Sequence, residues 1–120
     1  MAEATKTFLA VFLGSQAAME KFRQKPEVER KELEKKGMAA WKAWAEKHHA
    51  SIAQMGGPLG KTKQVSKKGI ADVSNEMGAF TVVSAASHEA AAKMFEGHPH
   101  FAMFPGESVE IMEVLAIPMG

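Results

Sequence analysis

The chain has 120 residues, of which 46% are apolar and 24% charged, and its formal net charge is +1 at pH 7. This is the length of one globular domain, and the balance of acids and bases argues against the strongly basic surface that nucleic-acid binding requires. The absence of cysteine excludes disulfides and cysteine-ligated metals, and no apolar run approaches the roughly 20 residues that cross a bilayer. We therefore expect one cytoplasmic domain over residues 1–120 that binds neither nucleic acid nor membrane.

The first half of the chain predicts a strand, a short helix, a long helix and a second strand. Residues 5–13 (TKTFLAVFL) are apolar without alternation, which is typical of a strand buried on both faces. Residues 15–23 are helical in composition, and a long amphipathic helix follows Pro26, which suits the first turn of a helix. Residues 51–55 (SIAQM) predict a short strand that the turn GGPLG ends.

The second half predicts a polar connection, two further strands and one helix between them. Residues 61–76 are polar and contain turn formers, so we expect a long excursion with at most a partial strand. Residues 79–85 (AFTVVSA) predict a strand, and a helix capped by Ser87 follows through Phe95. Residues 108–115 (SVEIMEVL) predict the last strand.

The resulting order β-α-β-β-α-β is that of a ferredoxin-like α+β domain. Right-handed crossovers place both helices on one face of a four-stranded antiparallel sheet and leave the other face open. The first strand is nevertheless apolar on both faces, with Phe8, Ala10 and Phe12 on one and Leu9, Val11 and Leu13 on the other. An open face this apolar exceeds what a monomer exposes, so we expect a homodimer in which two open faces pack about a two-fold axis, a dimeric α/β barrel.

The order of elements, the GGPLG turn after the long helix and the ending HPHFAMFPGESVEIMEV resemble the YCII-related (DGPF-domain) proteins of the dimeric α/β-barrel superfamily. The resemblance extends roughly from the first strand to Pro118. It is closest to members whose long helix carries a Trp-x-x-Trp pair, here Trp41 and Trp44. It implies a homodimer with sheets packed face to face, and clefts lined by the lumen face of the sheet and by helix ends. It also implies small-molecule chemistry on ring compounds, such as that of dehydrochlorinases and lactone isomerases.

The chain lacks the His-Asp pair proposed to be catalytic in many members of that family. Alignment on GGPLG brings the family's histidine to Ala40 and Trp41, where no histidine stands. The Asp-Gly-Pro-Phe signature is replaced by residues 73–77 (VSNEM), and the single aspartate is Asp72. Any chemistry therefore depends on other residues.

The candidate catalytic residues are His98, His100 and Glu110. In extended backbone the two histidines, which flank a proline, point their rings to one side. Glu110 alternates with Val109 and Ile111 on the last strand, so it points into the dimer lumen if those two pack under the helices. A partly desolvated carboxylate there suits a general acid or base.

Each of these residues also has a structural interpretation. His98 can end the second helix as an imidazolium that interacts favourably with the helix dipole, and His100 can be a loop residue bonded to backbone. Two histidines and one carboxylate are a weak metal signal, and we expect no metal and no other cofactor.

Aromatic side chains and a further histidine are the predicted ligand-binding walls. Trp41, Trp44 and His48 lie on one stripe of the long helix, and Phe101 follows the His-Pro-His segment. For each of them, packing alone is the favoured structural interpretation. Two functions stay open: a small-molecule enzyme of lyase or isomerase type with an acid-base cleft, and a non-catalytic module for small-ligand binding or homodimeric interaction.

Overall fold

The computed structural model of the chain describes residues 5–101 and 106–118. The strands are β1 (Lys6–Leu13), β2 (Ile52–Pro58), β3 (Thr62–Ser66), β4 (Gly69–Val73), β5 (Met77–Ala85) and β6 (Ser108–Glu113). The helices are α1 (Gln16–Arg23), α2 (Glu27–Lys47) and α3 (His88–Lys93), with single 3-10 turns at His49–Ser51 and Pro99–Phe101. The four-stranded antiparallel sheet has the order β2-β5-β1-β6, which confirms the predicted ferredoxin-like fold, and β3 and β4 pair separately. None of the described helices combines the length and apolar character needed to cross a membrane.

Serine caps and a proline set the helix starts. The Ser15 and Ser87 hydroxyls each accept a hydrogen bond from the backbone N–H three residues on, at 3.1 Å, and so satisfy a donor that the first turn leaves unpaired. Pro26 separates α1 from α2, as expected. The third helix ends at Lys93 rather than Phe95, because the N–H groups of Met94 and Phe95 bond carbonyls three residues back and tighten the last turn.

The core lies between the sheet and α2 and α3. Phe8, Ala10 and Phe12 of β1 are at most 1% exposed and pack with Trp44 and other apolar side chains from α2, α3 and β5. Because side chains alternate along a strand, Leu9, Val11 and Leu13 lie on the opposite, open face of the sheet. In register with Leu9 and Val11, Val82 and Phe80 of β5 extend that apolar face. The predicted division of β1 into two faces is confirmed.

The GGPLG segment does not end the second strand, so the predicted turn is wrong. β2 continues through Gly56, Gly57 and Pro58, with shifts in its register against β5. Gly56 has φ of 68°, and a Cβ there would overlap the Phe80 carbonyl of the neighbouring strand. The glycines therefore allow an irregular strand to run close to β5 rather than leave the sheet.

Residues 62–73 form a β-hairpin instead of a partial strand. β3 and β4 pair from Thr62↔Val73 to Ser66↔Gly69, with Lys67 and Lys68 between them. Almost every residue of the hairpin is exposed. The sequence did not predict it because neither face is buried, so no apolar alternation marks the strands.

Candidate functional site

Aromatic rings from three parts of the chain surround His98 on the helix side of the sheet. They are Phe12 at the end of β1, Trp41 and Trp44 one helical turn apart on α2, and Phe95 just after α3. We call these four residues together with His98 the aromatic cluster. The three-residue spacing of the tryptophans puts both indoles on the face of α2 that packs against the sheet.

His98 lies at the centre of the cluster and is 1% exposed. Its ring centroid is 4.5 Å from Trp41 and 4.6 Å from Trp44, with interplanar angles of 86° and 67°, and it is 5.0 Å from Phe12. Edge-to-face geometry of this kind is what ring quadrupoles favour. Aromatic rings therefore form most of the surroundings of this imidazole.

Hydrogen bonding selects the tautomer of His98. Its Nδ1 accepts the backbone N–H of His100 at 3.0 Å, so the ring proton is on Nε2. Nε2 is buried and has no hydrogen-bond partner within residues 5–101 and 106–118. A buried donor without an acceptor costs about 1–3 kcal/mol, which marks this N–H as a group that requires an explanation.

The same burial keeps His98 uncharged. Desolvation, and to a smaller extent the nearby His100 and His48, lowers the pKa of His98 from the ordinary 6.5 to about 4. The imidazole is thus neutral at pH 7, and the interpretation of His98 as an imidazolium at a helix end is wrong.

His100 is tied to the backbone at the edge of the sheet. Its Nε2 lies 3.0 Å from the Leu13 carbonyl oxygen and 3.1 Å from that of Ser108, so Nε2–H donates to both. A Cβ on Gly106 would overlap the imidazole, and only glycine leaves room for the ring. Burial lowers the pKa of His100, while the two carbonyls act in the opposite direction. This geometry is that of the structural interpretation, a loop histidine bonded to backbone.

Glu110 lies on the other side of the sheet. Val109 and Ile111 pack against the core, and Glu110 is exposed in register with Val11 on the open face. Within one chain the sheet therefore separates Glu110 from His98 and His100. The expected acid–base trio is not brought together by a single copy.

The predicted wall residues divide in the same way. Trp44 is buried and its Nε1–H donates to the Met94 carbonyl at 2.9 Å, while Trp41 is half-buried over His98. His48 is half-buried with its ring 5.0 Å from Trp44, and burial followed by the charge of Lys47 lowers its pKa. Phe101 is 44% exposed and touches the outer side of His100, at 5.6 Å between centroids. The tryptophans thus line the cluster, and His48 and Phe101 lie at its margins.

Phe12 and Phe95 are members of the cluster that sequence reasoning did not select. Both belong to predicted elements, Phe12 to the first strand and Phe95 to the end of the second predicted helix, and neither was assigned a role in a site. Phe95 lies only three residues before His98 along the chain, in a segment that turns tightly. This short separation was the sequence feature that could have indicated their contact.

Two grooves lined by described residues contain no histidine and no aromatic ring. A groove of about 430 Å³ between α1 and the β4–β5 connection is lined mostly by polar side chains, among them Gln16, Arg23 and Asn75, together with Met19. A second of about 350 Å³ lies near Lys61 and Met77. Among the residues that the structure describes, no group of three histidine or acidic side chains could hold a metal ion.

Comparison with known proteins supports the fold. No family model and no curated protein matches the chain. Among solved structures it is similar to the 5-chloro-2-hydroxyhydroquinone dehydrochlorinase TftG from Burkholderia phenoliruptrix AC1100, determined as a complex with 2,5-dihydroxybenzoquinone. The TM-score is 0.52 at 19% sequence identity, covering 88% of this chain and 90% of the dehydrochlorinase. At that identity the similarity shows a shared α+β fold.

Proposed function

We propose that this chain is a homodimeric small-molecule-binding protein of the YCII-related, dimeric α/β-barrel type, with its ligand site at the aromatic cluster. One observation carries the proposal: the Nε2–H of His98 is a buried donor with no partner within the described chain. Buried polar groups in folded proteins are nearly always paired, and a ligand oxygen is the partner that this geometry favours.

The surroundings of His98 define the chemistry of the ligand. A neutral imidazole N–H donates to a carbonyl or phenolic oxygen without bringing a charge into the site, and can polarise a carbonyl there. Aromatic side chains on several sides favour a flat ring. We therefore expect a planar ring compound that carries a carbonyl or hydroxyl group, with the half-buried Trp41 moving aside to admit it.

The open sheet face supports the homodimer. Leu9 of β1 and Phe80 and Val82 of β5 are half-buried on the face away from the helices, and Val11 between them is 8% exposed. Burial of this surface against a second copy removes it from water and gives a closed two-fold assembly.

Titration with 2,5-dihydroxybenzoquinone, the compound bound to the dehydrochlorinase, tests the ligand site. The chain has two tryptophans, and both contact His98, so their indole N–H signals in 1H–15N spectra report directly on the cluster. We expect both signals to shift with saturable binding. His98→Phe keeps a ring of similar size but removes the donor, and should weaken binding about tenfold or more, as loss of one hydrogen bond in a buried site predicts.

His49→Phe is the matched control, because His49 is exposed just beyond α2 and should leave the affinity unchanged. Equal affinity of His98→Phe and the unaltered chain would place the site elsewhere. No shift of either indole with this compound or with simple catechols and quinones would contradict small-molecule binding at the cluster.

An enzyme of lyase or isomerase type is the second candidate, and the fold shared with a dehydrochlorinase favours it. His98 would then donate to a ring oxygen of the substrate, and the proton lost together with chloride would pass to a group other than Glu110 of the same chain, which faces away. Incubation with 5-chloro-2-hydroxyhydroquinone and measurement of released chloride tests this candidate. Release that His98→Phe abolishes supports an enzyme, whereas binding without release supports the non-catalytic module.

A further inference from the structure

The β3–β4 hairpin projects from the domain with an apolar face uncovered. We call residues 61–73 the hairpin arm. Val65 and Ile70 are directly opposite each other on its two strands and are 76% and 72% exposed. A two-stranded hairpin is marginal in water unless something packs on it. The exposed apolar pair therefore indicates that another surface packs on the arm.

The arm is also basic. It contains four lysines and one aspartate. Lys63 pairs with Asp72 at 2.7 Å on the same face as Val65 and Ile70, which leaves Lys61, Lys67 and Lys68 without an ion-pair partner among the described residues. The arm thus presents an apolar pair surrounded by unpaired positive charge.

The end of the chain has the complementary character. We call residues 106–118 the terminal segment; its charged residues are Glu107, Glu110 and Glu113. Glu110 and Glu113 are exposed and make no ion pair within the part of the chain that is described. Large apolar side chains accompany them, with Met112 exposed on the open face and Leu115 and Ile117 beyond it at 72% and 76%. β6 is moreover an edge strand of the sheet, so one of its sides can receive a neighbour.

We propose that the hairpin arm of one copy docks on the terminal segment of a second copy. Opposite charge and exposed apolar side chains match on the two surfaces, and within one chain β3 and β4 share no sheet with β6. Glu110 and Met112 lie on the same open face as Val11 and Leu9, so a contact there continues the packing of the two sheets. Under two-fold symmetry the contact occurs twice, and each copy both gives an arm and receives one.

Charge reversal tests the docking. Lys61→Glu with Lys67→Glu and Lys68→Glu makes an acidic arm, and Glu110→Lys with Glu113→Lys makes a basic terminal segment. Sedimentation equilibrium at low salt should show dimer dissociation at least tenfold stronger for either variant, because like charges then face each other. The chain that carries all five changes should regain the original dissociation constant to within a few-fold. Raised salt should weaken the unaltered dimer and narrow these differences.

The matched control reverses Lys35, Lys42 and Lys47 on the exposed side of α2 to glutamate and should leave dimerisation unchanged. The docking would be overturned if the acidic-arm variant dimerised as tightly as the unaltered chain. It would also be overturned if the chain with all five charge reversals failed to regain the original dissociation constant.

The inference rests on the homodimer proposed above, and Leu9→Lys separates the two. If Leu9→Lys is monomeric while the charge variants dimerise normally, the sheet-packed dimer is supported and the docking of the arm is rejected. An unaltered chain that stays monomeric at all concentrations contradicts both. Binding of a nucleic acid or another polyanion that depends on the lysines of the arm, with dimerisation unaffected by reversal of their charge, would likewise reject a second copy as the partner of the arm.

Discussion

His98 and His100 carry their ring proton on the same nitrogen and use it differently. In His100 the Nε2–H is shared between the carbonyls of Leu13 and Ser108, whereas in His98 it has no partner in the described chain. The backbone N–H of His100 fixes this by donating to Nδ1 of His98. One histidine thus bonds the segment to the sheet, and the other keeps a buried donor without a partner in the described chain.

The buried imidazole of His98 makes stability depend on pH. Its pKa is about 4 in the folded chain against the ordinary 6.5, so below pH 6.5 the unfolded chain takes up a proton that the folded chain refuses. The contribution is fully present above pH 6.5, falls as the pH drops toward 4, and amounts to roughly 3 kcal/mol over that window. Urea unfolding between pH 7.5 and 4 measures it. The free energy of unfolding of His98→Phe should fall less steeply as the pH decreases, since only the smaller effects of His48 and His100 remain.

The comparison with His98→Phe isolates one histidine, because burial also lowers the pKa of His48 and His100. Parallel curves for the two chains would mean that His98 titrates normally and is not buried as described.

Gly106 determines whether the His100 ring fits. A Cβ at this position would overlap the imidazole, so Gly106→Ala should push the ring away from the Leu13 and Ser108 carbonyls. Overpacking of this kind costs about 1–3 kcal/mol, and chemical unfolding at pH 7.5 measures the loss. Gly60→Ala is the control, since nothing lies within 4 Å of a Cβ there. Equal stability of the two variants would show that the His100 ring is not held by this contact.

At the scale of elements, the sequence predicted the strands whose side chains are buried, because burial requires a run of apolar residues. β1, β5 and β6 carry apolar runs, and serines or a proline mark the helix starts, so these elements were found to within a few residues. β2 was cut short because its glycines were interpreted as a turn, although they permit an irregular strand beside β5. The hairpin was missed because its strands bury nothing.

The candidate site shows the same limit. The sequence predicted that His98 and the two tryptophans come together, because helix periodicity and the position after a helix stop define their places. It also placed Glu110 in the site, because alternation along β6 directs this residue to the open face. In one chain that face lies on the opposite side of the sheet from His98. The charge state of His98 also depends on burial, which one sequence cannot supply.

The hairpin should be separable from the domain. Thr62 and Val73 are paired at its base, so replacement of residues 63–72 by Asn-Gly closes the chain with a two-residue turn. We expect the shortened chain to fold, with far-UV circular dichroism and the dispersed signals of the aromatic cluster kept, because nearly all residues of the removed segment are exposed. Collapse of the spectrum to that of an unfolded chain would show instead that the arm stabilises the domain itself.

The whole molecule has more surface than a compact domain of its size. Its accessible area is 8803 Å², whereas a monomer of this mass exposes about 6,300 Å². The radius of gyration is 16.5 Å, against about 14 Å for a compact domain of this length. A flat two-layer body with a projecting arm exposes more area than a compact one, and a second copy packed on the open face would reduce the accessible area of each chain.

Leu9→Lys tests this assembly most directly. Leu9 lies on the open face in register with Val82 and Met112 and has no carboxylate directly across from it, so a lysine there places an uncompensated charge in each half of the interface. Burial of such a charge without a partner costs several kcal/mol, and two copies bring two of them together. We expect a folded monomer by sedimentation, with circular dichroism unchanged. Val28→Lys, at an 80% exposed position on α2, should leave the dimer intact. A dimer of unchanged affinity in Leu9→Lys would mean that the sheets do not pack face to face at this position.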